Sequence, residues 1–215
     1  MRFQDLADRL AHALEEPLPG SGAQELLAPR PRKGWQPGRL PQDCKPAAGL
    51  LVVYPVEDQP HVLLTQRDDG LPQHAGQVAL PGGEIEEGET IAQAALREAH
   101  EEVGVVSETV RLLGSLSPLH IPVSGFILHP VVGLLDRRHE FRPQPGEVAR
   151  VLEVPFDRLA DFGRWRSETR RFRDDEFDVP FLDLGGAVLW GATAMVVAEF
   201  LSIAGFPPTP PRSTK

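Results

Sequence analysis

Residues 82–105 read GGEIEEGETIAQAALREAHEEVGV. Thr90 and Gln93 have the spacing of a capping box, and Gly104 suits the left-handed position just past a helix end, so the spacing predicts a helix over 91–103. At about 100° per residue, Glu98, Glu101 and Glu102 share one arc, while Ala92, Leu96, Ala99 and Val103 share the opposite one. That apolar side is mostly alanine, which lets the helix approach a sheet closely and hold its acids at a fixed height. Glutamates four residues apart repel by a few tenths of a kcal/mol, a cost that a bound cation would remove. Three carboxylates and no cysteine form an all-oxygen donor set, which suits Mg²⁺ or Mn²⁺ and not zinc. The competing reading is a solvated acidic face. His100 points roughly opposite to Glu98. Gly82-Gly83 lets backbone carbonyls and amides come close to a ligand, and Arg97 can pair with Glu89 or Glu101 to orient a carboxylate.

Working outward, GLLVVYPV (49–56) and HVLLTQR (61–67) are apolar runs around the turn-like Glu57-Asp58-Gln59-Pro60, a strand pair, and QVAL (77–80) is a short strand. Further strands are expected over 109–116, 126–135 and 147–154, a short helix over 156–162, and strand-like segments over 165–183. A closing helix over 188–204 is stopped by Gly205 and Pro207-Pro208. Phe3, Leu6, Leu10 and Leu14 recur at helical spacing and predict an amphipathic helix that packs on the main domain or on a partner such as a second copy in a homodimer. Residues 17–48, rich in proline and glycine, read as a linker or an extended wrap. The expected organisation is an N-terminal helix and linker over 1–46, one α/β domain over 47–206 and a disordered tail over 207–215.

The 215 residues carry a net charge of −9, which argues against bulk nucleic-acid binding. The lone Cys44 excludes an intrachain disulfide and fits a reducing compartment. The acidic N-terminus lacks the apolar core of a signal peptide, so a cytoplasmic location is expected. Residues 184–206 approach membrane-spanning length, but their glycine and alanine content and missing basic flank favour a buried helix and no membrane association. There is no G-x-S-x-G, Walker or H-E-x-x-H pattern.

Gly83, Glu89 and Arg97-Glu98-Ala99-His100-Glu101-Glu102-Val103-Gly104-Val105 match every fixed position of a G-x5-E-x7-R-E-U-x-E-E-x-G-U pattern. The stretch therefore resembles the Nudix box, with Ala99 standing where the pattern has a bulky aliphatic residue. The resemblance implies an α/β/α sandwich with a mixed sheet and divalent-metal hydrolysis of a nucleoside diphosphate linked to another moiety. Glu98, Glu101 and Glu102 are the implied metal ligands, joined by the carbonyl of Gly82, and Arg97 and Glu89 are the implied supporting ion pair. The mechanism that the resemblance implies is attack of a water on one phosphorus of a P-O-P bond, with a glutamate as base, either Glu98 or Glu147 of the later Pro145-Gly146-Glu147-Val148. A strand-end surface acid is the alternative reading of Glu147.

Residues 63–67 (LLTQR) and 74–83 (HAGQVALPGG) are similar to the signature that precedes the box in coenzyme A pyrophosphatases. This marks Arg67, His74, Gly76, Gln77 and Gly83 as candidate substrate-binding residues. Asp68, Pro72 and Leu80 stand where that signature has Ser, Arg and Phe. Pro122-Val123-Ser124-Gly125-Phe126 and Leu189-Trp190-Gly191-Ala192-Thr193-Ala194 are similar to further subfamily segments, so the resemblance spans roughly 47–204. It implies cleavage of coenzyme A or its derivatives to adenosine 3',5'-bisphosphate and a phosphopantetheine. The alternatives are a Nudix enzyme acting on ADP-ribose, NADH or other nucleotides, and a non-catalytic Nudix-fold sensor. The Trp190 segment also reads as core packing. Arg164, Arg166, Arg170, Arg171 and Arg173 either grip a substrate phosphate or pair with Asp174, Asp175 and Glu176.

Overall fold

The protein was analysed as a computed structural model that describes residues 1–71, 74–172 and 175–211. In chain order the elements are α1 (Phe3–Ala13), α2 (Gly20–Gln24), β1 (Lys45–Val56), β2 (Gln59–Arg67), β3 (Val78–Ala79), β4 (Gly82–Glu84), α3 (Ile91–Val103), β5 (Arg111–Ser115), β6 (Leu119–Ile121), β7 (Phe126–Leu134), β8 (Val148–Pro155), α4 (Phe156–Ala160), β9 (Arg166–Phe172), β10 (Asp175–Asp183), β11 (Val188–Trp190) and α5 (Gly191–Ile203).

β1 is a nearly continuous apolar run because both of its faces are covered. Ala48, Leu50, Val52 and Tyr54 pack with Ala94, Ala95, Ala99 and Val103 of α3. Leu51 and Val53 belong to the core on the other face, with Leu6 and Leu10 of α1 and Val196, Phe200 and Leu201 of α5. Helices on both faces of one sheet make an α/β/α sandwich. The sheet has eight strands, with β3, β2, β1, β7 and β5 side by side, β4 against β1, β6 against β7 and β8 against β2. It is mixed, since β1 runs parallel to β7 and antiparallel to β2 and β4. A second, antiparallel sheet is ordered β11, β10, β9.

Several boundaries differ from the sequence reading. The closing helix expected over 188–204 splits, because residues 188–190 pair with Leu182 and its neighbours as β11 and α5 begins at Gly191. No helix among the described residues is long and apolar enough to cross a membrane. The segment over 17–48 packs as a wrap: Ala23, Leu27 and Ala28 are buried, and Arg30 exchanges backbone hydrogen bonds of 2.9 and 2.7 Å with Asp178 of β10. α1 spends its apolar face on the chain's own core, with Phe3, Leu6, Ala7 and Leu10 buried.

Glu199 fixes this wrap. It is fully buried on α5, and its carboxylate accepts from the Gly20 amide at 3.2 Å, the Ser117 amide at 3.3 Å and Gln24 Nε2 at 2.9 Å. A buried carboxylate is tolerated when hydrogen bonds saturate it. Glu199→Ala orphans three donors at once and is expected to cost about 2–4 kcal/mol in urea unfolding, with residues 20–28 losing hydrogen-exchange protection first.

Candidate active site

The capping box forms as the spacing predicts: the Gln93 amide donates to Thr90 Oγ1 at 3.2 Å, the Thr90 amide donates to Gln93 Oε1 at 2.9 Å, and Gly104 is left-handed at φ 73°. The buried face of α3 is rotated from the expected arc. Ala94, Ala95, Ala99, Glu102 and Val103 are buried, whereas Ala92 and Leu96 are only half-buried. The helix leans its acidic edge onto β4, so that Glu98 and Glu102 lie in the interior and Glu101 alone remains exposed, with 55% of its side chain open to solvent.

Glycine makes that lean possible. A Cβ on Gly83 would sit 2.5 Å from Glu98 Oε1, and one on Gly82 would run into the Ala48 carbonyl across the β1–β4 pairing. β4 and the Glu98 carboxylate therefore occupy space that any other residue would fill.

Arg97 is the hub. Its Nε and Nη2 donate to both oxygens of Glu89 at 2.7 and 3.0 Å, Nη1 donates to Glu98 at 2.7 Å and to Glu101 at 3.2 Å, and Nη2 reaches the Glu84 carbonyl at 3.1 Å. Both partners foreseen for Arg97 are present, and Glu98 is a third that the spacing did not indicate. The guanidinium holds Glu89 below the usual carboxylate range, helped by the Glu86 amide. Burial pushes Glu98 up despite Arg97.

Glu102 points away from Arg97. Burial raises its pKa to about 7; Arg67 opposes this from 4.0 Å, as does the Gly82 amide, while Glu98 and Glu147 add to it. Glu147 thus lies within electrostatic reach of both buried glutamates, although its own side chain is exposed. Backbone contacts place it: the Gln144 amide donates to the Glu102 carbonyl at 2.8 Å, capping the end of α3, and the Glu147 carbonyl accepts from the Asp68 amide at 2.9 Å. Further back on the same loop, Arg138 grips Glu153 through two bonds of 2.6 Å, and Tyr54 donates to that carboxylate at 2.9 Å.

Arg67, His74, Gly76 and Gln77 form one loop closure. The Gly76 amide donates to the Arg67 carbonyl at 3.2 Å, the Arg67 amide to the Gln77 carbonyl at 3.0 Å, and His74 Nδ1 lies 3.0 Å from Gln77 Oε1. Asp68 turns its carboxylate back onto the Gly70 amide at 2.8 Å, and Leu80 is buried against Gly49. Pro72 lies outside the described residues. Of the arginine-rich stretch, Arg164 pairs with Asp161, Arg170 with Glu168, and Arg171 with Glu176, one of the three acids foreseen; the side chain of Asp175 lies outside what the structure describes. Arg170 also lies 4.5 Å above the Trp190 ring. Arg173 and Asp174 lie outside the described residues.

Among the described residues, no three acid, histidine or cysteine side chains converge on one point. Glu98 and Glu101 are turned to Arg97, and Glu102 to Arg67 and Gly82. The donor chemistry nonetheless fits a hard divalent cation: carboxylates only, with Glu102 buried and Glu98 half-buried, both with raised pKa values and both pressed upon by Glu147.

A family model described as NUDIX domain matches residues 45–175. The uncharacterized Nudix hydrolase NudL of Pectobacterium atrosepticum is 36% identical over 167 residues, covering 75% of this chain and 86% of that protein. NudL of Escherichia coli strain SMS-3-5 is 35% identical over 162 residues, covering 75% and 84%. In fold, the chain is similar to the crystal structure of a MutT/nudix family protein from Enterococcus faecalis, with a TM-score of 0.52 at 20% identity over 78% of this chain and 64% of that one.

A carboxylate whose pKa is raised on folding destabilises the fold where it is ionised. For Glu102 the unfolded chain releases its proton near pH 4.5 and the folded chain near 7. Stability of the metal-free protein should therefore fall as pH rises through that window, by on the order of 3 kcal/mol, and remain reduced above it. Glu102→Gln should flatten this dependence and raise the urea midpoint in EDTA at pH 8. An unchanged midpoint would contradict the buried, repelled carboxylate.

Proposed function

The chain belongs to the Nudix hydrolase family, and from that premise we propose that it hydrolyses the pyrophosphate bond of coenzyme A or a derivative, using Mg²⁺ or Mn²⁺. The observation that carries the metal-dependent reading is the buried Glu102 and half-buried Glu98, held at Gly82-Gly83 within electrostatic reach of Glu147. Glu98, Glu101 and Glu102, with the Gly82 carbonyl, are the residues that would hold the cation. Bound there, it supplies charge neutralisation on the phosphate oxygens and a more acidic attacking water.

The chain's own residues do the rest. Arg97 and Glu89 set the orientation of Glu98, so the carboxylate meets its ligand without searching rotamers. Arg67, with its Nε buried and donating to nothing among the described residues, offers a guanidinium to a substrate phosphate beside Glu102. Glu98 or Glu147 takes the proton of the attacking water; Glu147 is the solvent-open candidate and Glu98 the buried one, with its pKa raised toward that role. His74, Gly76 and Gln77 shape the loop that carries Arg67.

Support for coenzyme A comes from the resemblance over residues 63–83 and the downstream segments. ADP-ribose or NADH is the second reading, because Pro72 removes the arginine of that signature. A phosphate-product assay with each metal over coenzyme A, acetyl-coenzyme A, ADP-ribose, NADH and a nucleoside triphosphate decides between them. Preferential cleavage of the coenzyme A forms is expected; preference for ADP-ribose or NADH would leave only the general hydrolase reading.

Glu101→Gln and Glu102→Gln should each lower kcat by at least about 100-fold with the fold intact, and full activity in either would remove the metal-ligand assignment. Gly83→Ala should match them, since its methyl group must displace the Glu98 carboxylate.

A further inference from the structure

The wrap over residues 30–43 brings a second set of polar groups against β6, remote in sequence from α3. The Arg32 guanidinium lies over the Trp35 ring, 5.7 Å from its centroid. Its Nε is buried and donates to nothing among the described residues. Two other arginines, Arg67 and Arg158, also bury an unbonded Nε, but Arg67 faces Glu102 and Arg158 donates through Nη2 to the Asp183 carbonyl at 2.9 Å. Among the described residues no carboxylate acts on Arg32, and burial pushes its pKa down to about 10.

Arg39 donates to a neutral partner, Gln36 Oε1, at 3.0 Å. His120 of β6 is buried and lies within electrostatic reach of both arginines: burial, Arg32 and Arg39 lower its pKa, and Asp43 opposes them. Gly34 fixes the approach, since a Cβ there would lie 3.1 Å from Pro122 at the end of β6. In a chain of net charge −9, two guanidiniums act on the buried His120 imidazole, and among the described residues Asp43 is the one carboxylate that opposes them. An uncompensated buried cation is costly, and a bound anion would relieve it.

We propose that Arg32, Arg39 and His120, backed by the Trp35 ring, form a second site that binds a phosphate group, apart from the carboxylates of α3. The guanidinium plane pinned against Trp35 presents its free edge as a fork matched to two phosphate oxygens, and the imidazole adds one N–H donor. The ligand is inorganic phosphate or the phosphomonoester of a nucleotide. The inference does not depend on the hydrolytic reading, because it uses none of the same residues.

Inorganic phosphate and AMP are titrated into the full chain in EDTA at constant ionic strength, with binding read by calorimetry. Saturable binding is expected, weakened about tenfold or more in Arg32→Met and in Arg39→Gln on the surface, and retained in Arg67→Met. Tighter binding of AMP identifies a nucleotide monoester as the ligand; equal binding identifies the phosphate group alone. Absence of saturable binding up to millimolar concentrations overturns the proposal. So does binding that both arginine variants leave unchanged, or binding lost in Arg67→Met, which would put the phosphate beside α3 at the Arg67 guanidinium. Should Arg32→Met fail to fold, Arg39→Gln carries the test by itself.

Discussion

Like charges held close together are the condition to which the rest of this molecule is adjusted. Glu89, Glu98 and Glu101 share one guanidinium, that of Arg97, while Glu102 is left to Arg67 at 4.0 Å and a backbone amide. In water such a cluster would spread apart at little cost. Here α3 is clamped between its capping box and the Gln144 amide at its other end, and its alanines hold it down on β1. The repulsion is thereby stored in the native state, and a divalent cation is the simplest agent that could discharge it.

The close approach rests as much on missing atoms as on present ones. Gly82 permits β4 to pair with β1 at Gly49, and Gly83 admits the Glu98 carboxylate. Alanines at 94, 95 and 99 keep the helix near the sheet. A larger residue at any of these positions would lift α3 and separate the two buried glutamates from Arg67 on β2. Loop 136–147 gains its position from Arg138, Glu153 and Tyr54, which contact no acid of α3, yet they anchor the chain that brings Glu147 to it.

What could be read beforehand was local. The cap at Thr90, the stop at Gly104 and the apolar run of β1 follow from spacings of a few residues, and the pairings of Arg97 with Glu89 and Glu101 follow from one turn of helix and the loop before it. The rotation of α3 could not be read, because the wheel says which residues share a side and not which side meets β4. For the 17–48 segment the prolines left linker and wrap both open, because they mark irregular backbone without saying whether it is buried; the buried Ala23, Leu27 and Ala28 favour the wrap. β11 escaped because three apolar residues ahead of a helix look like its first turn; only the partner strand β10 distinguishes them. Arg32 and His120 are 88 positions apart in number, and no pattern links them.

Glu199 has a temporal consequence. Its partners Gly20 and Gln24 lie 179 and 175 residues away along the chain. During synthesis the first thirty residues leave the ribosome with their apolar groups, Leu6, Leu10 and Leu27 among them, long before α5 exists to receive them. Contacts of such long range close late and slowly. The wrap is therefore a late seal, joined only once α5 has been made, and until then the amphipathic α1 is open to whatever apolar surface it meets, a chaperone's included.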